Sequence, residues 1–277
     1  MLRRKLRAGS LLALLALAGC LGPPTEVSAP AQPPPADAHL LPLPGILLED
    51  CTGARLSLLR PEPGRTDHVP DAFRPSAGLP LSAGFGVDYL SCARVVAFDA
   101  VRTGAQLLWA WAHVNPKNAS WTDSAADSFF TYEVLTDDPG LALALRSLGM
   151  PAEVATVMPR PPAMAAAGPR GVTFGTDQGS VALEWTPIPG VAAPEPKLEF
   201  VRHQWSEASN GFVRLRAQER DEFALHDSQT PGRVAATGEG AFARRLGTLP
   251  AAGLGLVIPR ATWEISGESS LFKRETP

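Results

Sequence analysis

From about residue 45 onward the chain is a succession of short apolar or alternating runs, each cut off by Gly or Pro. That spacing limits the fold more than any other feature of the 277 residues. Side chains alternate across a strand, so a short run of Val, Ile, Phe, Trp and Thr makes one strand before a turn residue ends it. Ala54–Leu59, Ala93–Val101, Gln106–Val114, Phe129–Thr136, Val154–Met158, Gly171–Thr176, Val181–Thr186, Leu198–Trp205, Phe212–Ala217, Arg233–Gly238 and Gly255–Ile265 all read this way. Many short strands at such spacing favour a barrel or a sandwich. Two segments break the pattern. Pro139–Leu148 carries Leu141, Leu145 and Leu148 at helical spacing behind Asp137 and Asp138, which supply a cap and suit the helix dipole, and Gly149 ends it. Ala241–Leu246 reads as a second, weaker helical turn. No internal repeat is visible, so a single mainly β domain over 45–277 is expected.

Composition sets limits on partners. The 45% hydrophobic fraction is ample for a core. The formal charge is −3, and no basic stripe offers itself to nucleic acid or to an anionic lipid surface. No histidines or cysteines stand at metal-ligand spacing, so no metal site and no cofactor are expected. Cys51 and Cys92 are open to two readings. In an oxidising compartment they pair, closing a loop of roughly 40 residues for about 3–4 kcal/mol; otherwise they are two small buried hydrophobes.

The N-terminus states an address. Arg3, Arg4, Lys5 and Arg7 form a positive region, Leu11 to Leu17 a compact apolar one, and Leu17-Ala18-Gly19-Cys20 follows. The apolar run is shorter than the roughly 20 residues of a membrane span. This tetrapeptide resembles the lipobox of bacterial lipoproteins, which implies removal of residues 1–19 as a signal peptide and acylation of Cys20. Removing four positive charges takes the formal charge from −3 to −7. Residues 20–44, with Pro23-Pro24, Pro30, Pro33-Pro34-Pro35, Pro42 and Pro44, then form the lipidated cysteine and a proline-rich tether. The implied location is the cell envelope. It is the outer membrane facing the periplasm in a Gram-negative cell, and otherwise the outer face of the cytoplasmic membrane.

Three strings in the body carry a second resemblance. They are Val69-Pro70-Asp71-Ala72-Phe73-Arg74-Pro75, then Asp137 through Arg146 with Gly149-Met150-Pro151, then Val257-Ile258-Pro259-Arg260-Ala261. In this order they resemble motifs of the acetoacetate decarboxylase superfamily, which implies a single curved, closed β-barrel with one or two short helices. That family works through a lysine amine that forms a Schiff base with a ketone, kept neutral by burial and a neighbouring lysine. Where the resemblance places the two lysines, after Pro151, this chain has Ala152 and Glu153. Schiff-base decarboxylation is therefore not expected, and no catalytic residue is assigned.

Trp109, Trp111 and His113 share one face of a strand and either line a pocket or pack a core. Trp111, His113, Glu133, Arg146 and Glu153 form the candidate pocket, with Glu133 and Arg146 a candidate buried pair. His203 and Trp205 alternate on another strand with the same ambiguity. The functional expectation is a membrane-anchored envelope protein with a non-catalytic barrel and a pocket for a small apolar or carboxylic ligand. Its partners are then the bilayer through Cys20 and a small molecule, not nucleic acid. The alternative is an envelope enzyme using Glu133, Glu153 or His113 for lysine-independent acid–base chemistry.

Overall fold

The structure, a computed structural model, describes residues 44–58, 69–76, 84–98, 100–123, 126–160, 170–186, 197–222, 230–246 and 251–273. Cys20 and the signal and tether expected before residue 44 lie outside the described residues. In chain order the first strands are β1 (Pro44–Leu58), β2 (Phe73–Pro75), β3 (Phe85–Ala97), β4 (Ala100–Pro116) and β5 (Asp127–Thr136). Helix α1 (Pro139–Ser147) follows, then β6 (Ala152–Val154), β7 (Thr156–Arg160), β8 (Arg170–Thr176) and β9 (Gly179–Trp185). The chain continues through β10 (Lys197–Ala208), β11 (Gly211–Glu222), β12 (Thr230–Gly238), helix α2 (Ala241–Leu246) and β13 (Ala251–Lys273).

Seven of these strands close on themselves in the order β1-β3-β4-β5-β10-β11-β13, with β13 pairing back to β1. Neighbours are antiparallel except β5 and β10, which run parallel. The mainly β, closed-barrel expectation therefore holds. Beyond the closure, β13 continues into β12, β9, β8 and β7, a sheet that wraps the barrel's outside. Where that sheet lies over the wall, both faces of the wall are buried. Leu48, Leu90, Trp109, Leu215 and Trp263 fill the lumen, while Leu56, Val87, Leu108 and Leu135 face outward and pack under Val172, Phe174, Leu183 and Val234.

One end of the barrel is closed by α1. There β1, β4 and β11 begin and β3, β5, β10 and β13 end. The Asp138 carboxylate caps the helix, accepting from Gly140 N at 2.7 Å and Leu141 N at 3.0 Å. It also holds Arg102 at 3.0 Å, whose guanidinium lies where a Cβ at Gly140 would stand. Leu141, Ala142, Leu145 and Leu148 point into the lumen, and Gly149 at φ +87° ends the helix. Asp137 has a different task from its neighbour, accepting from Gln106 N at 2.7 Å.

Two expected strands are each cut in two. Ala93–Val101 is broken by a tight hairpin at Phe98, whose φ of 51° is left-handed. Val154–Met158 is broken at Ala155, where the chain leaves the edge of β5 to begin β7. β1 starts earlier than alternation suggested. Register shifts around Asp50, itself at φ 50°, flip the inward set from Ile46 and Leu48 to Cys51 and Arg55, so no single alternation runs through it.

Candidate functional site

Inside the lumen, four charged side chains from four strands meet. Arg55 on β1 donates from Nε to Asp88 Oδ1 at 2.8 Å and from Nη2 to Glu219 Oε2 at 2.9 Å. Arg202 on β10 reaches Asp88 Oδ2 through Nη1 at 3.0 Å and Glu219 Oε1 through Nε at 2.7 Å. Each arginine thus touches both carboxylates. Asp88 and Glu219 are wholly buried and Arg202 is 2% exposed. Aromatic faces complete the enclosure: the Arg202 guanidinium lies 4.2 Å from the Phe129 ring centre, 5.1 Å from Phe200 and 5.6 Å from Trp263.

The electrostatics follow from this packing. Burial alone would raise the Asp88 carboxyl, but Arg55 and Arg202 together outweigh it and hold the group below the ordinary carboxylate range. The Trp111 indole N–H contributes in the same direction, facing Asp88 without the alignment of a full hydrogen bond. Trp109 Nε1 donates to Thr131 Oγ1 at 3.0 Å, and that hydroxyl donates to Gln204 Oε1 at 3.2 Å. The quartet is formally neutral, and its charges are spent on one another.

The expected face of Trp109, Trp111 and His113 exists and points inward. Trp109 and Trp111 are buried in the lumen core. His113 sits toward the end of the barrel away from α1, stacked on Phe129 at 5.0 Å and 3.9 Å from Asp127. Burial lowers its pKa against the pull of Asp127, and Arg202 lowers it further.

Glu133 lies on the other side of the wall. A bulge between β4 and β5 turns it outward beneath α2, where Oε2 accepts from Phe242 N at 3.1 Å. Burial raises its pKa; the Phe242 N–H opposes, Glu153 on β6 raises it further, and Arg244 opposes. The space beside Glu133 is about 10 Å³, room for one water at most. Through Thr176 it adjoins an open depression of about 540 Å³ lined by Val154, Ala155, Thr156, Gly175, Thr176 and Asp177.

The five candidate residues therefore do not converge. Trp111 and His113 belong to the lumen, Glu133 and Glu153 to the outer layer, and Arg146 to the exposed side of α1. Arg146 does not pair with Glu133: its Nη1 donates to the carbonyl of Ala152 at 3.0 Å, tying α1 to β6. Cys51 and Cys92 stand directly opposite each other on β1 and β3, buried in the lumen wall and joined as a disulfide. His203 and Trp205 face outward; Trp205 is packed among Phe73, Trp121 and Phe272.

The quartet itself has no local signature. Its members are separated in sequence by 33, 114 and 164 residues along its hydrogen bonds. In Phe85–Tyr89 the alternation makes Phe85, Val87 and Tyr89 the core face and Asp88 the wet one. Only closure of the barrel shows that both faces are interior.

The sequence matches no protein-family model and no curated protein. As a fold it is similar to a solved acetoacetate decarboxylase, with a TM-score of 0.54 over 88% of this chain and 95% of that one at 9% identity. It is also similar to the enduracididine biosynthesis enzyme MppR complexed with pyruvate, with a TM-score of 0.53 over 86% and 94% at 12% identity. The fold is acetoacetate decarboxylase-like, and identities this low extend no further than the fold.

Proposed function

We propose that this chain is a lipid-anchored envelope protein, held by an acylated Cys20 and the 20–44 tether, whose barrel performs no Schiff-base chemistry. The observation that carries the reading is the ion quartet inside the lumen. A Schiff-base site needs an amine kept neutral in a dry pocket. Here the lumen holds two arginines, each ion-paired with both Asp88 and Glu219. Ala152 and Glu153 stand after Pro151, Ala152 within the apolar wall of the lumen. Lys117 and Lys273 are both exposed. A small carboxylate entering the lumen competes with Asp88 and Glu219 for the same guanidinium groups, so ligand binding there is weak in this reading.

Borohydride reduction in the presence of pyruvate or acetoacetate, read by intact mass, tests the chemistry. No adduct is expected. A reduced adduct on any lysine overturns the non-catalytic reading.

A second reading has one observation in its favour, the raised Glu133 carboxyl in a small crevice that adjoins the open depression through Thr176. In that reading Glu133 exchanges a proton with a substrate seated on β7 and β8. Loss of a measured turnover on Glu133→Gln, with the fold intact by circular dichroism, would support it.

A further inference from the structure

Six large apolar side chains among the described residues are strongly exposed: Phe98, Val101, Leu143, Val154, Met158 and Leu271. Four of them gather at the α1 end of the barrel. Phe98 and Val101 form the β3–β4 hairpin tip, Leu143 projects from α1, and Leu271 lies at the finish of β13. The same end is where β1 begins at Pro44, and the Gly45 carbonyl accepts the Phe98 N–H directly.

The hairpin extends this apolar surface along the wall. On its outward face Leu47, Val96 and Val101 stand side by side across β1, β3 and β4, with Leu47 and Val96 half-buried. Two residues further from the tip the next outward row is Glu49, Arg94 and Thr103, where Arg94 and Glu49 pair as ions. On the β13 side the Leu47 row meets Glu264, which pairs with Arg220 at 3.1 Å. An apolar rim thus gives way to charge over one step of the sheet. Arg146 on α1 and Lys273 at the end of β13 are exposed at this end, as are the acids Asp137, Glu207 and Glu268.

The tip also carries backbone strain where chemistry would allow relief. A two-residue hairpin loop with a positive φ favours Asn or Gly at its first position. Phe98 holds φ 51° there and is 44% exposed. A bulky residue in that conformation is an outlier that folding alone does not select.

We infer that this end of the barrel is a bilayer-contact face, in which Phe98, Val101, Leu143 and Leu271 enter the interfacial region of a phospholipid membrane. The occupant is a lipid surface because the chain that would hold the anchor leaves the body at this rim. Aromatic and aliphatic side chains then sit at headgroup depth while Arg146 and Lys273 reach back toward phosphates. This inference rests on the reading of Cys20 as an acylated anchor.

The test uses the full chain, acylated and incorporated into phosphatidylethanolamine–phosphatidylglycerol vesicles. Flotation and the intact mass at Cys20 report on the anchor alone. Single nitroxides at Phe98→Cys, Leu143→Cys and Lys117→Cys then report on the face, Lys117 being exposed just beyond the far end of β4. The labels at 98 and 143 are expected to lose most of their relaxation by a water-soluble nickel complex and to gain relaxation by oxygen, while the label at 117 behaves as in solution. Equal aqueous access at all three positions in floating, acylated protein overturns the contact face and leaves the anchor standing. A chain that neither floats nor carries the acyl mass overturns the anchor, and the contact face falls with it.

Discussion

The lumen and the crevice under α2 both bury carboxylates, and they treat them in opposite ways. Asp88 and Glu219 are each met by two guanidinium groups, so burial is compensated and Asp88 titrates below its ordinary range. Glu133 meets one backbone N–H, with Glu153 adding to its burden, and titrates above its range. A buried charge surrounded by its opposites is framework, whereas a buried acid left short of partners keeps its proton to higher pH than an exposed one.

Removing a partner from each place separates the two most sharply. Arg202→Met leaves two wholly buried carboxylates with Arg55 alone, and the loss expected is about 3–5 kcal/mol in urea unfolding. Adding Asp88→Asn to Arg202→Met should recover part of that loss, because residues in one ionic network couple strongly. A loss under about 1 kcal/mol for Arg202→Met would mean that water reaches the quartet and that the lumen is open.

The wall of the lumen offers a second break. Cys92→Ala removes the bond between β1 and β3, which closes a 41-residue separation, and should cost about 4 kcal/mol in the chain-entropy account. The expected loss should disappear when wild-type protein is compared with it under strong reductant. If reductant leaves the wild-type midpoint untouched, the disulfide does not contribute to stability.

The crevice should respond far less. Glu133→Gln keeps an acceptor for the Phe242 N–H and removes an ionisable group, so stability at neutral pH changes by no more than about 1 kcal/mol. The direction with pH is the diagnostic part. An acid whose folded pKa is raised binds its proton more tightly in the native state, so stability falls as pH rises from the unfolded value through the folded one. Glu133→Gln should abolish that fall between acid and neutral pH. An unchanged profile would return Glu133 to the role of an ordinary cap for α2.

How far these contrasts were legible in the sequence depends on whether their cause is local. The α1 helix was readable because Asp138, Pro139 and Gly149 each act within a few residues of themselves. Gln106–Val114 and Phe129–Thr136 were readable because alternation survives along β4 and β5 away from their bulge. The quartet was not, because closure makes the inward face of every strand interior and alternation alone cannot say which face is wet. The Phe98 turn was hidden for a related reason: Ala93–Val101 contains no Gly or Pro, and the reversal is taken by a residue that normally avoids it. Pairing Glu133 with Arg146 failed at the same level, since one faces outward from β5 and the other is held by the Ala152 carbonyl.

The outer face supplies a test that opposes Glu133 in sign. His203 is 3% exposed, its Nε2 lies 3.6 Å from Asp123, and its Nδ1 has no partner among the described residues. Burial, then Arg214, lower its pKa, Asp123 pulls back, and Arg216 lowers it again, leaving it at about 4 against an ordinary 6.5. Between those values the unfolded chain binds a proton that the folded chain refuses, so stability is complete above 6.5 and is lost as pH falls toward 4. Asp88 titrates below the ordinary carboxylate range, so its own acid loss begins at lower pH. His203→Gln should therefore flatten the urea midpoint between neutral pH and the window's lower edge while leaving the steeper acid limb in place. A midpoint that still falls through this window in His203→Gln assigns the slope to another group, and the outer face then contributes nothing to acid sensitivity.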